Sequence, residues 1–163
     1  MTVREAKKEL QTYARILFVI DRLRHDARMA ELAAASPRTS SYSAAASRGS
    51  ASYDEKIIRM LEKQEQVTDA ERKMIFVEII LDTILDTAEK KSRKILVDYC
   101  IKERSCEAIA EDINVSAPRV YQLLEDALET YIFNRDLIVQ MLDFDPFAHD
   151  REGAQSLAYA REL

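Results

Sequence analysis

The scarcity of helix-breaking residues is the feature that most limits the fold of this chain. Only two glycines and three prolines occur among its 163 residues. The long stretches between them are rich in Ala, Leu, Ile, Glu, Lys and Arg, which favour helices over strands. No run alternates polar and apolar residues as a half-buried strand does, and no segment repeats. The sequence therefore predicts an all-α fold.

Residues 1–88 are predicted to form a long helical hairpin or coiled coil. One apolar seam advances by steps of three and four residues through Val3, Ala6, Leu10, Tyr13, Leu17 and Ile20. A second seam does the same through Val67, Ala70, Met74, Val77, Leu81 and Ile84. Residues 36–53 separate the two with seven serines, a composition typical of a linker. The second helix is apolar on more than one side, so we expect these N-terminal helices to form a homodimer.

A three-helix unit is predicted for residues 89–133. Its stretch CEAIAEDINVSAPRVYQLL, residues 106–124, has the residue types of a helix-turn-helix at the required offsets. Serines stand where each of its two helices needs an N-cap, at Ser105 and Ser116, and Asn114 suits the left-handed turn between them. The expected buried residues are Ile109, Ala110, Ile113, Val120, Leu123, Leu124, Ala127, Leu128 and Tyr131.

This scaffold predicts which side chains would meet DNA. The residues that would point into a major groove are Ala117, Pro118, Arg119, Tyr121, Gln122 and Glu125. Arg119 suits a guanine edge or a phosphate, and Gln122 suits an adenine. The expected phosphate contacts come from Lys90, Lys91, Arg93, Lys94, Lys102 and Arg104, with the backbone N–H groups at Ser105 and Ser116.

Charge and composition narrow the function further. The chain has a net charge of −5. Residues 88–133 carry seven basic and nine acidic side chains, and three of the acidic ones lie in the second helix of the motif. The sequence has no nucleophile paired with a base, no phosphate-binding loop and no cluster of metal ligands. We therefore expect neither an enzyme nor a bound cofactor or metal. No apolar run has the length of a membrane span and no signal peptide opens the chain, so we expect a cytoplasmic protein without a membrane partner.

Two resemblances refine this prediction. Residues 90–131, with EAIAEDINVS followed by APRVYQLLEDAL, resemble region 4 of bacterial sigma factors, which contacts promoter DNA and RNA polymerase. Most of the chain, including SRGSASYDEK at 47–56, is similar to the phage ArpU/RinA-like late transcriptional regulators. The resemblance implies a phage or prophage protein in the bacterial host cell that binds promoter DNA and works with the host RNA polymerase. Its implied reading residues are Ser116, Ala117, Arg119, Tyr121 and Gln122.

Two other functions remain open for the same scaffold. The acidic second helix also suits a protein-interaction module that acts on host RNA polymerase or a defence factor without touching DNA. A small-terminase-like packaging adaptor also combines a helix-turn-helix with an oligomerising helical region. Residues 134–163 are predicted to form a C-terminal helical tail, which the sigma-like unit does not need.

Overall fold

The computed structural model of the protein describes residues 1–35, 53–85 and 91–150. All regular secondary structure within these ranges is helical, which confirms the predicted all-α class. The elements are α1 (Val3–Ala35), α2 (Tyr53–Thr83), α3 (Ser92–Leu96), a π-helical segment (Val97–Ile101), α4 (Cys106–Ile113) and α5 (Ala117–Leu142). No helix in the described part of the chain is both long and apolar enough to cross a membrane. The predicted linker at 36–53 and the end of the predicted tail lie almost entirely outside the described residues.

The chain divides into two compact units, and the division falls within α1 and within α2. The smaller unit comprises Phe18–Glu71. In it Ile20, Ala34 and Ala70 are buried, and the Arg24 guanidinium contacts the Glu71 carboxylate at 2.9 Å. Both partners of this ion pair are substantially exposed, so it contributes little to stability.

The larger unit, Met1–Leu17 with Arg72–Leu163, contains the main core. Much of both predicted seams is buried there, in the form of Ala6, Leu10, Tyr13, Val77, Leu81 and Ile84. Two residues of the first seam, Val3 and Leu17, are each 42% exposed. A regular heptad spacing fixes the side of the helix on which a residue lies, but it does not supply a partner surface along the whole length.

The first helix of the predicted three-helix unit is regular only in its first part. Residues 92–96 form α3, and the chain then widens into the π-helical segment, where the Lys102 N–H donates to the Val97 carbonyl at 2.9 Å. Glu103 follows with a positive φ of 53°, and the Arg104 N–H donates to the Asp98 carbonyl at 2.9 Å. This left-handed residue ends the helix and turns the chain towards α4.

A buried ion pair joins the start of the chain to α5. Glu9 on α1 is 4% exposed and Arg135 on α5 is 2% exposed. The Arg135 Nε lies 3.0 Å from each Glu9 carboxylate oxygen, and the Tyr131 hydroxyl donates to Glu9 Oε1 at 2.8 Å. Removing a carboxylate from water is costly, so this fully bonded arrangement is what makes the burial of Glu9 tolerable.

The same arginine also fixes the turn after α5. Its Nη2 donates to Asp145 Oδ1 at 2.7 Å, and that oxygen also accepts the Phe147 N–H at 3.0 Å. The Phe147 ring is buried and lies 6.3 Å from the ring of Phe76 on α2. The Arg135 guanidinium therefore holds α1, α5 and the turn containing Asp145 against one another. We call Glu9, Tyr131, Arg135 and Asp145 the buried arginine cluster.

We predict that Glu9→Gln destabilises the protein by about 3–5 kcal/mol, because it leaves the buried Arg135 with one fewer opposing charge. Glu65→Gln, the same chemical change at an exposed position of α2, is expected to shift stability by less than about 0.5 kcal/mol. Urea unfolding followed by circular dichroism measures both values. Equal effects of the two substitutions would contradict the structural role given to the cluster.

Candidate nucleic-acid interface

Helices α4 and α5 are joined by a short turn whose backbone is closely defined. The Ser105 hydroxyl accepts the Ala108 N–H at 3.2 Å, which confirms the predicted N-cap of α4. Asn114 ends α4 in the left-handed region, with φ 55° and ψ 49°, and the next N–H, that of Val115, donates to the Ala110 carbonyl at 3.1 Å. Ser116 occupies the N-cap position of α5, but its side chain makes no capping hydrogen bond.

The two helices are packed through the residues that the sequence predicted to be inside. Every one of the nine expected positions is buried, from Ile109 to Tyr131. This packing fixes the rotation of α5 about its axis, and so determines which of its side chains face outward. Ser116, Arg119, Tyr121 and Gln122 are exposed, whereas Ala117 is partly buried against the core.

The exposed side chains at the start of α5 are tied to neighbours. The Arg119 guanidinium donates to the Gln122 amide oxygen at 3.0 Å, which leaves its other N–H groups free to meet a ligand. The pKa of the Tyr121 hydroxyl is raised by its interaction with the nearby Cys106 thiol, and then with the Glu107 carboxylate. About half of the surface of Tyr121 is exposed.

Basic side chains surround a surface depression of about 410 Å³ beside α4. Its lining consists of Arg93, Lys94, Val97, Asp98, Lys102, Arg104 and Asp112. Four of the predicted phosphate-binding side chains are thus brought together in one place. Lys91 lies at the N-cap position of α3, and Lys90 lies outside the described residues.

Acidic residues within the fold neutralise part of this charge. Asp98 is buried and accepts from Lys102 at 2.9 Å and from Arg104 at 3.4 Å, and Arg104 also pairs with Asp112. The hydrogen bond that Arg104 donates to Asp112 lowers the pKa of the Asp112 carboxyl, so Asp112 stays ionised at neutral pH. The lining of the depression holds four cations and two carboxylates. One of the four cations, Arg93, also pairs with Asp82 outside the lining.

The sequence did not predict that Asp98 and Asp112 pair with these cations, nor that Arg93 contacts Asp82 at 2.7 Å. The Asp98–Lys102 pair has an ordinary four-residue helical spacing that could have revealed it. The Arg104–Asp112 pair depends on the turn at Glu103, which the sequence does not signal. Within the described residues, no three His, Cys, Asp or Glu side chains are grouped to hold a metal ion.

No protein-family model, curated protein or solved structure matches this chain. The similarity to sigma region 4 and to the ArpU/RinA-like regulators therefore stays a prediction.

We predict that Asp112→Asn raises the affinity for random-sequence duplex DNA about threefold to tenfold, because it removes a negative charge beside Arg104. Fluorescence anisotropy at low salt measures the change. The matched control is Glu65→Gln, which removes the same charge from the smaller unit. If both variants gain affinity equally, only the overall charge matters and the depression is not where phosphate binds.

Proposed function

We propose that this chain is a sequence-specific DNA-binding transcriptional regulator in which α4, its turn and α5 act as a helix-turn-helix. The observation that carries the proposal is the pairing of Arg119 with Gln122 on the exposed face of the first turns of α5. Arginine and glutamine are the side chains that read guanine and adenine edges in a major groove. The buried face of α5 fixes the side of the helix on which they lie.

The depression beside α4 supplies the phosphate contacts of this proposal. Lys94, Lys102 and Arg104 would meet the DNA backbone there, and the N-terminal end of α4 at Ser105 adds a partial positive charge. Because Asp98 and Asp112 already engage two of these cations, we expect modest affinity that falls steeply with salt. Specific binding would then depend on two copies of the motif acting together.

A homodimer formed through the predicted hairpin or coiled coil of residues 1–88 would bring two such motifs to one site. Two-fold symmetry in the protein would be matched by paired half-sites in the DNA. The resemblance to sigma region 4 and to phage late regulators supports promoter DNA as the target. It also supports the host RNA polymerase as a second partner, in the cytoplasm of a bacterial host.

A second candidate function is a protein-interaction module that uses the same scaffold without DNA. The observation in its favour is the exposed acidic group Glu125, Asp126 and Glu129, which begins one turn beyond Gln122. These carboxylates would repel phosphate if they lay against a groove. They would attract a basic surface of another protein.

The experiment that separates the two functions is selection of duplexes from a random pool, followed by titration of the best site at several salt concentrations. We predict that Arg119→Ala costs about 1–3 kcal/mol of binding free energy at that site and relaxes its sequence preference. Arg59→Ala, which removes an exposed arginine from the smaller unit, is the control and should leave the preference unchanged.

Two outcomes would contradict the DNA-binding proposal. One is that no duplex is enriched and binding is absent even at low salt. The other is that Arg119→Ala binds the selected site as tightly as the wild-type chain does. In either case the acidic surface of α5 becomes the main candidate for a binding face.

A further inference from the structure

The C-terminal half of α5 exposes a row of large apolar side chains. Phe133 is 71% exposed, Leu137 48% and Met141 76%. Their spacing of four residues places them on one face of the helix, along more than two turns. Phe144, just beyond the end of α5, is also about half exposed. We call Phe133, Leu137 and Met141 the α5 row.

The α5 row stands out because the rest of the same helix is well packed. Tyr131 and Ile138, on the inner side of this half of α5, are buried in the core. Scattered exposed apolar residues are common, but a contiguous line of them on a rigid helix is typical of a binding surface. Phenylalanine and methionine are also among the residues enriched where proteins contact each other.

The charges beside the row are acidic. Glu129 and Asp136 lie four residues before and three residues after Phe133, so both are its neighbours on the helix surface. Asp126 continues the same face one turn further towards Arg119. After Arg119, the one basic residue of α5 is Arg135, which is 2% exposed and engaged by Glu9, Asp136 and Asp145.

We propose that the α5 row binds a basic amphipathic helix of another protein. The apolar side chains would pack into the partner's apolar stripe, and lysine or arginine side chains flanking that stripe would pair with Asp126 and Glu129. A second copy of this chain is a poorer fit, because a two-fold contact between identical α5 faces brings carboxylates together without an exposed cation from α5 to pair with them.

This inference goes beyond the proposed DNA contact and does not depend on it. At 1.5 Å per residue, Phe133 lies about 21 Å from Arg119 along the helix axis, and Asp126, the nearest residue of the proposed surface, lies about 10 Å from it. The two surfaces therefore share no residue. An apolar face flanked by carboxylates repels phosphate. The ligand of this face therefore differs in kind from the DNA proposed for the first turns of α5.

The probe for this surface is a labelled synthetic helix of about 18 residues with one leucine stripe flanked by lysine and arginine. The comparison peptide keeps the stripe and carries glutamate in place of every flanking cation. Both are titrated into the full chain at about 150 mM salt and followed by fluorescence anisotropy. We expect the basic peptide to bind and the acidic peptide to bind at least tenfold more weakly.

Two variants test the two parts of the surface. Phe133→Ser combined with Met141→Ser should weaken binding of the basic peptide at least tenfold. Glu129→Gln combined with Asp126→Asn should weaken the same binding about threefold to tenfold. Phe18→Ser, which changes a 91% exposed phenylalanine of the smaller unit, should have no effect. All of these positions are exposed, so circular dichroism should show unchanged folding.

Three results would overturn the proposal. The first is equal binding of the basic and acidic peptides, and the second is unchanged peptide binding by the Phe133 and Met141 variant. The third is that this variant turns a dimeric wild-type chain into a monomer in sedimentation, which would assign the row to a second copy. DNA binding by the same variant should stay at the wild-type level, so failure of this proposal and failure of the DNA proposal are distinguishable.

Discussion

The buried ion pair between Glu9 and Arg135 is the interaction on which the larger unit depends. It joins residues that lie 126 positions apart in the chain, and the Tyr131 hydroxyl and the Asp145 carboxylate complete its hydrogen bonds. A charge buried to this degree is tolerable only when its partners are in place, so the pair specifies how α1 packs on α5. The position of α5 in turn determines where Arg119 and Gln122 face.

Helix α5 accordingly serves different roles along its length. Its first turns carry the exposed Arg119 and Gln122, its middle is packed into the core through Leu124 and Leu128, and Arg135 then holds the cluster. The helix runs without interruption across residue 133, where the sequence suggested the end of a domain. A single rigid helix thus joins the proposed DNA-reading residues to the α5 row.

The sequence predicted the local features well and the distant ones poorly. The cap at Ser105, the left-handed Asn114 and the buried face from Val120 to Tyr131 follow from spacings within one or two turns, and all were predicted correctly. The burial of Glu9 and Arg135 was not predicted. Charged residues are usually exposed, and nothing in a single sequence links two positions so far apart.

The candidate interface could be predicted from the sequence only in part. Arg93 and Lys94 belong to one run of basic residues, and Lys102 and Arg104 stand separately, just before the motif. The structure places all four around one depression. The four-residue spacing of Asp98 and Lys102 could have revealed the first acidic partner. The pairing of Arg104 with Asp112 depends on the turn at Glu103, which has no clear sequence signal. Phe133 stands at the end of the predicted three-helix unit, and Leu137 and Met141 stand in the predicted tail. The sequence alone does not predict that all three are exposed, because exposure depends on packing.

The most direct test of the central claim is amide hydrogen exchange of the full chain, measured by mass spectrometry with and without duplex DNA at low salt. DNA should slow exchange at the start of α4, residues 105–108, and at the start of α5, residues 116–122, and should leave residues 133–142 unchanged. Unchanged exchange at 116–122 under conditions where DNA is bound would contradict the account, because the duplex would then lie on another surface of the protein.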